Sequence, residues 1–318
     1  MKALSKGLIG AVALAWSAAA LSAPNLPTKP IEQKYYADGS WTVAQTSTAA
    51  GCDSKGNPCD IFYPSSLGAG GMKHPIIVWG NGSGTTPIAS TTYAYLLRHL
   101  ASWGFVVIAT RDGTTGLGQT MIDSANYMVA RNTDAGSIFN GKLDTTKIGA
   151  MGHSQGASGA VNAMLKSSGL IRTAVTFHIA QQAYCNPPTL CLLTADLQAA
   201  TSGSIFYVSG TADWLISPDT QLFGSQLNSN TAYYNATPAP LLKAKAILKG
   251  PNHNDVQGTP NCVSGMCANG VHGYLGYPTA WMMWQLQGAT DGRDAIKASG
   301  GEIFTETTNW QSVLSNVP

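Results

Sequence analysis

Gly152-His153-Ser154-Gln155-Gly156 sets a serine between two glycines, each two residues away. A sharp strand-to-helix turn needs small residues at those two places, and a serine at its tip presents Oγ for nucleophilic attack. The competing reading is a plain glycine-rich connection, which a chain with 35 glycines supplies easily. A serine hydroxyl is a weak nucleophile near neutral pH, so the first reading obliges the chain to supply a base and an acid that orients it. On a strand–turn–helix site the acid and then the histidine follow the serine in chain order.

Asp213 fits the acid. It follows the apolar run 204–208 through Ser209-Gly210-Thr211-Ala212, which puts it beyond the carboxyl end of a buried strand, where α/β sites are built. A turn or helix-cap aspartate is the alternative. His253 fits the base, since Gly250-Pro251-Asn252-His253-Asn254 is a loop just after the run 244–248. His272, nearer the end of the chain, is the competing base, whereas His74, His99, His153 and His178 all precede the acid.

An oxyanion needs two backbone N–H donors, one of them from the residue after the nucleophile. That residue is Gln155, and Asn81 in Gly80-Asn81-Gly82-Ser83-Gly84 is expected to give the other, with Gly82 next. A phosphate loop is excluded there because no Gly-Lys-Ser/Thr ending follows. Trp79, Gly82, Trp214 and the loop 262–267 are placed to shape a substrate cleft, with buried packing the alternative for each tryptophan.

These residues need a scaffold, and the chain reads as an α/β protein. Apolar runs of strand length at 61–63, 75–79, 105–110, 147–151, 173–177, 204–208 and 244–248 alternate with helix-like segments at 91–103, 121–131, 155–166, 218–227 and 277–286. That rhythm predicts a mostly parallel central sheet flanked by helices. Trp281, Met282, Met283 and Trp284 in the last helix are expected to pack on the sheet. The segment before residue 60 reads equally as an edge strand or a loop. With 318 residues, 44% hydrophobic and 11% charged, the chain suits one large packed domain.

Lys2 and Lys6 precede an apolar run that ends in Ser22 and Ala23, the pattern of an export signal, with a retained anchor as the alternative. Residues 1–23 are therefore read as a signal peptide and 24–318 as a single catalytic domain. Losing those two lysines takes 18 basic residues to 16, equal to the 16 acidic ones, and that balance recruits neither nucleic acid nor anionic lipid. Six cysteines fall into three local pairs: Cys52 with Cys59, Cys185 with Cys191, and Cys262 with Cys267. Three small disulfide loops in an oxidising compartment are expected, secreted or periplasmic, with no Cys-x-x-Cys spacing to suggest a metal.

The stretches "WGFVVIAT" from Trp103, "GKLDTTKIGAMGHSQG" ending at Gly156, "SGTADWLISP" around Asp213 and "GPNHN" around His253 resemble the α/β-hydrolase superfamily. More narrowly they resemble its bacterial cutinases and poly(ethylene terephthalate) hydrolases. The resemblance implies the α/β-hydrolase fold and a serine esterase with Ser154, Asp213 and His253 as its triad. It also implies an oxyanion hole from Asn81 and Gln155, no cofactor or metal, and an ester substrate, polymeric esters included. Those polyester hydrolases usually carry an aromatic where Asn81 stands and a methionine where Gln155 stands. The segment 179–203, short and tied by its cysteines, predicts an open cleft. A monomer is expected, and a peptidase or an inactive binding module on the same fold are the competing functions.

Overall fold

The computed structural model describes residues 26–88, 91–185, 187–221, 226–258 and 269–318; the expected export signal lies outside them. Strands β1 (Val43–Ser47), β2 (Cys59–Pro64), β3 (His74–Gly80), β4 (Val106–Thr110), β5 (Leu143–His153), β6 (Ile171–Phe177), β7 (Ser204–Gly210), β8 (Leu242–Leu248) and β9 (Trp310–Ser315) form one sheet. Its order is β1-β2-β4-β3-β5-β6-β7-β8-β9. From β4 to β8 the neighbours are parallel, while β2 is antiparallel to both β1 and β4, and β9 to β8.

Helices are α1 (Pro30–Tyr36), α2 (Ala94–Ser102), α3 (Gln119–Thr133), α4 (Gln155–Lys166), α5 (Thr194–Gln198), α6 (Asn230–Ala236), α7 (Gly276–Gln287) and α8 (Thr290–Ile296). Successive strand residues serve opposite faces. Ile77, Trp79, Met151, Val175, Phe206 and Val208 share a core with α1, α2, α7 and α8, whereas Ile76, Val78, Ile148, Ala150, Ile205 and Tyr207 share one with α3 to α6. Helices on both faces explain why these strands read as continuous apolar runs rather than as alternating ones. The architecture is that of an α/β hydrolase, as the sequence predicts.

Each expected strand falls inside an observed one or overruns it by a single residue. The helix expected at 218–227 is a correction: residues 218–221 and 226–227 are not helical, and the helix is α6. Polar side chains decide this. Asn230 Nδ2 donates to the carbonyls of Ser217 and Pro218 at 3.1 and 3.0 Å, and Ser229 Oγ caps α6 by accepting the Ala232 N–H at 3.0 Å. The open question before residue 60 resolves to an edge strand, β1, preceded by α1.

Two of the three expected disulfides form, Cys52–Cys59 and Cys185–Cys191, with Cα atoms 5.9 and 5.7 Å apart. Both suit an oxidising compartment. The third expected disulfide is not among them: Cys262 and Cys267 both lie outside the described residues. Among the described residues no helix is long and apolar enough to cross a membrane.

Candidate active site

Because the central strands are parallel, β3, β5, β6, β7 and β8 all end at one edge of the sheet, and Ser154, His178, Asp213 and His253 lie on the turns beyond those ends. Ser154 follows β5 and caps α4 with φ 57° and ψ −121°. That sparsely populated backbone persists only where the surroundings enforce it. Its N–H donates to the Phe177 carbonyl at 2.9 Å and its carbonyl accepts from Ala157 N–H at 3.0 Å.

The two flanking glycines are there for room. A Cβ on Gly152 would stand 2.1 Å from the Gly156 carbonyl oxygen, and one on Gly156 would stand 2.2 Å from that of Gly80. Gly156→Ala is therefore expected to push α4 off the end of β3. The cost should be about 2–4 kcal/mol of stability along with the alignment of Ser154, checked by thermal melting and by turnover.

His253 Nε2 lies 2.9 Å from Ser154 Oγ, and His253 Nδ1 lies 2.6 Å from Asp213 Oδ2. The turns carrying acid and base are stitched together: Thr211 N–H donates to the Leu248 carbonyl at 2.8 Å and Ala212 N–H to that of Pro251 at 3.0 Å. Fully buried Asp255 holds the base loop, accepting Asn252 N–H at 2.6 Å and the N–H groups of Asn269 and Gly270 at 2.5 Å each. His272 does not compete for the acid. It lies against Tyr36, whose hydroxyl is 2.9 Å from its Nδ1.

Burial raises the Asp213 carboxyl, but hydrogen bonds from His178 and His253 outweigh it and hold the group well below the usual carboxylate range. An ionised carboxylate only accepts, so His253 carries its proton on Nδ1 and turns the Nε2 lone pair toward Ser154.

Chain order sets His153 and His178 aside, yet both sit in the centre of the site. His153 Nε2 is 2.7 Å from the His253 carbonyl and its Nδ1 is 2.9 Å from Tyr93 Oη, which in turn accepts Gly82 N–H at 3.1 Å. Burial, and then His253 and His178 beside it, push His153 far below the ordinary histidine range. A neutral ring thus donates from Nε2 and accepts at Nδ1, tying the Gly80–Gly84 loop to the base loop. His178 Nδ1 lies 2.7 Å from the same Asp213 Oδ2, and its Nε2 bonds Tyr274 Oη. The signal that could have found His178 is position, because it is the first residue beyond β6, and a place just beyond a core strand is what singles out Asp213.

A cavity of about 260 Å³ opens on Ser154, lined by Gln155 and Ser83 and walled by Ala180, Tyr184, Cys185 and Ile216. Gln155 N–H, at the first position of α4, stands where an oxyanion donor is expected. Asn81 does not line this cavity. Its buried amide donates to the carbonyls of Thr110 and Asp112 at 2.6 and 3.1 Å and accepts Trp79 Nε1–H at 3.1 Å. Gly82 commits its N–H to Tyr93, which leaves Ser83 as the residue of that loop at the cavity.

Trp79, considered for substrate contact, is fully buried against Tyr93, with ring centroids 4.9 Å apart. Trp214 is 63% exposed, on a separate hollow with Thr211 and Pro218. The loop 262–267, from Cys262 to Cys267, lies outside the described residues. The segment 179–203 is a wall, not a lid: the Cys185–Cys191 loop packs so closely that a Cβ on Gly116 would meet the Leu190 carbonyl at 2.0 Å. Larger hollows of about 390 and 490 Å³ lie elsewhere, between α2 and β1 and between α4 and α5. Neither includes Ser154, Asp213 or His253.

His178, Asp213 and His253 also present donor atoms within 4.8 Å of one another, the spacing of a metal site. Each of those atoms already has a hydrogen-bond partner within this set, so a cation would have to displace both histidine protons.

Comparison with protein families matches residues 23–203 to the PETase family, described as PET hydrolase-like. That span includes the Gly80–Gly84 loop and Ser154 and ends before Asp213. A bis(hydroxyethyl) terephthalate hydrolase of Streptomyces coelicolor is 30% identical over 130 residues, 39% of this chain and 39% of its own. The chain thus matches about two fifths of the length of that curated relative. With more than half of its residues on the family model, the chain belongs to the PET hydrolase-like family.

Proposed function

We propose that this protein is an exported serine hydrolase of carboxylic esters. The observation that carries the reading is the continuous hydrogen-bonded line from Ser154 Oγ through His253 to Asp213 Oδ2, at 2.9 and 2.6 Å. In this reading His253 Nε2 takes the Ser154 proton as Oγ attacks the ester carbonyl, and Asp213 balances the imidazolium that forms. The tetrahedral oxyanion is held by the N–H groups of Gln155 and Ser83, the latter replacing Asn81. His253 then protonates the leaving alkoxide, and water attacks the acyl-serine by the same steps in reverse.

The small cavity, with half-exposed Tyr184 at its wall, suits a compact acyl group presented from an open surface. Family membership and the bis(hydroxyethyl) terephthalate hydrolase among its relatives support an ester of an aromatic carboxylic acid, in a polymer or as its soluble fragment.

The test is direct. The protein is expected to hydrolyse p-nitrophenyl acetate and to take up one fluorophosphonate per chain, with the adduct on Ser154 by peptide mass spectrometry. An adduct with faster cleavage of the matching anilide would make it an amidase. Neither turnover nor adduct would overturn the reading and favour a binding module.

A further inference from the structure

Asp213 serves two histidines through a single oxygen. We propose that His178, fixed by Tyr274, is a positioning residue for the acid: its Nδ1–H shares Asp213 Oδ2 with His253 and limits how strongly Asp213 holds the proton that His253 takes from Ser154. The proposal rests on the Ser154–His253–Asp213 reading above.

Proton inventory fixes the direction of every bond. Asp213 only accepts, so the Nδ1 atoms of both His178 and His253, at 2.7 and 2.6 Å from Oδ2, must carry hydrogens. His178 Nε2 is then an acceptor, and its partner, the Tyr274 hydroxyl, donates. Burial raises the Tyr274 hydroxyl well above its usual range, so it keeps that proton at any working pH. Burial also lowers His178, against the pull of Asp213, which keeps the ring neutral. The other carboxylate oxygen takes the Ile216 N–H at 3.2 Å. Ser209 Oγ is 3.4 Å from His178 Nδ1 but gives its proton to the Ser217 carbonyl at 2.8 Å.

The backbone is committed to this arrangement as well. His178 has φ 52°, a left-handed conformation that histidine, asparagine and aspartate adopt more readily than other side chains. Its N–H donates to the Val208 carbonyl at 2.8 Å, so the ring hangs from the extended β6–β7 ladder and is fully buried. Its ring meets that of His253 edge to face, with centroids 5.5 Å apart.

The consequence is electrostatic. A carboxylate with one buried N–H donor places all its charge at the disposal of that donor and strongly favours the imidazolium. A second neutral donor on the same oxygen draws off part of that charge, so His253 releases its proton to the leaving group more readily. Among the described residues, the other ionisable groups facing these rings are His153, with centroids 6.1 Å from His178 and 4.8 Å from His253, and Asp255, which acts through space on His178 and Tyr274. Both remain when His178 is changed.

The experiment is the pH profile of kcat/KM on p-nitrophenyl acetate for the wild type, His178→Phe, His178→Asn and Tyr274→Phe, with Ser154→Ala beside them. His178→Phe is expected to lower the plateau about 10- to 100-fold, the factor that goes with losing a hydrogen bond to a charged group, and to move the acidic limb to higher pH. His178→Asn, which tolerates the same φ and offers Nδ2–H in place of Nδ1–H, should return the limb toward the wild type. Tyr274→Phe keeps the His178 ring but frees its tautomer, and should move the limb the same way by less; it decides the matter if His178→Phe does not fold. Limbs that superimpose on the wild type, with Ser154→Ala inactive, would make His178 a packing residue. A rate that survives Ser154→Ala would instead sink the triad reading and this proposal with it.

Discussion

Ser154→Ala is expected to lower kcat on a p-nitrophenyl ester by about a million-fold, and Asp213→Asn by about 10⁴-fold, with KM near its original value in both. The first loss is the nucleophile itself. What remains is the turnover that Gln155 N–H, the Gly80–Gly84 loop and binding alone provide to a water molecule, about 10³-fold over the uncatalysed rate. For that reason Ser154→Ala with His253→Ala should be no worse than Ser154→Ala alone.

The second loss has a different origin. The amide introduced by Asp213→Asn would keep the shape of the acid but carry no charge to balance the imidazolium, and its NH₂ group must face either the two Nδ1–H groups or the Ile216 N–H. A ring facing the amide NH₂ must move its proton to Nε2, and a His253 protonated there has no lone pair for Ser154 Oγ. Initial rates with equal folded concentration, checked by circular dichroism, measure both effects. Turnover in Ser154→Ala within ten-fold of the wild type would remove the serine mechanism.

Ser154, Asp213, His253 and Gln155, the residues of the candidate site, can be singled out in the sequence because each obeys a local rule: glycine spacing at the turn, first position of the helix, or placement just beyond an apolar run. The seven core strands were legible for a related reason, since burial on both faces leaves uninterrupted apolar stretches. Other residues depend on distance in space. His178 and Tyr274 are 96 positions apart, and nothing within either segment tells that the two side chains meet. In the loop Gly80–Gly84 the sequence favours Asn81, with Gly82 next, whereas Ser83 is the residue of that loop that lines the cavity and the Gly82 N–H is taken by Tyr93 Oη, a contact that no local rule reveals. Trp79 shows the same limit: it ends an apolar run beside the site, and its indole faces Tyr93 and Phe177 inside the core.

Away from the site, the stability of the protein is expected to fall as pH rises from about 4.5 to about 8, and Glu32→Gln is expected to abolish most of that fall. Glu32, in α1, is 3% exposed. Its Oε1 accepts Trp310 Nε1–H at 2.7 Å, while its Oε2 is buried with no hydrogen-bond partner among the described residues. Two further carboxylates stand beside it, each already engaged. Glu302 accepts the N–H groups of Ile31 and Glu32 at 2.9 Å each, and Glu306 accepts those of Asn309 and Trp310 at 2.8 and 3.1 Å.

Burial, followed by repulsion from Glu306 and Glu302 and opposed by the Trp310 bond, pushes the Glu32 carboxyl from 4.5 up to about 8. The folded chain therefore holds a proton that the unfolded chain releases in this window. The contribution is fully present below the unfolded value and is lost as pH climbs through the folded one, at about 1.4 kcal/mol per pH unit. The whole effect is on the order of 5 kcal/mol, large against the roughly 5–15 kcal/mol that holds a typical domain together. Glutamine keeps the acceptor for Trp310 without a charge, so the variant should melt with the wild type near pH 4.5 and several degrees above it at about pH 9. Parallel melting temperatures for the two proteins across the whole range would show that Glu32 is not the group that titrates. The segments it joins, α1 and the start of β9, are linked through a carboxylic acid that stays neutral below about pH 8.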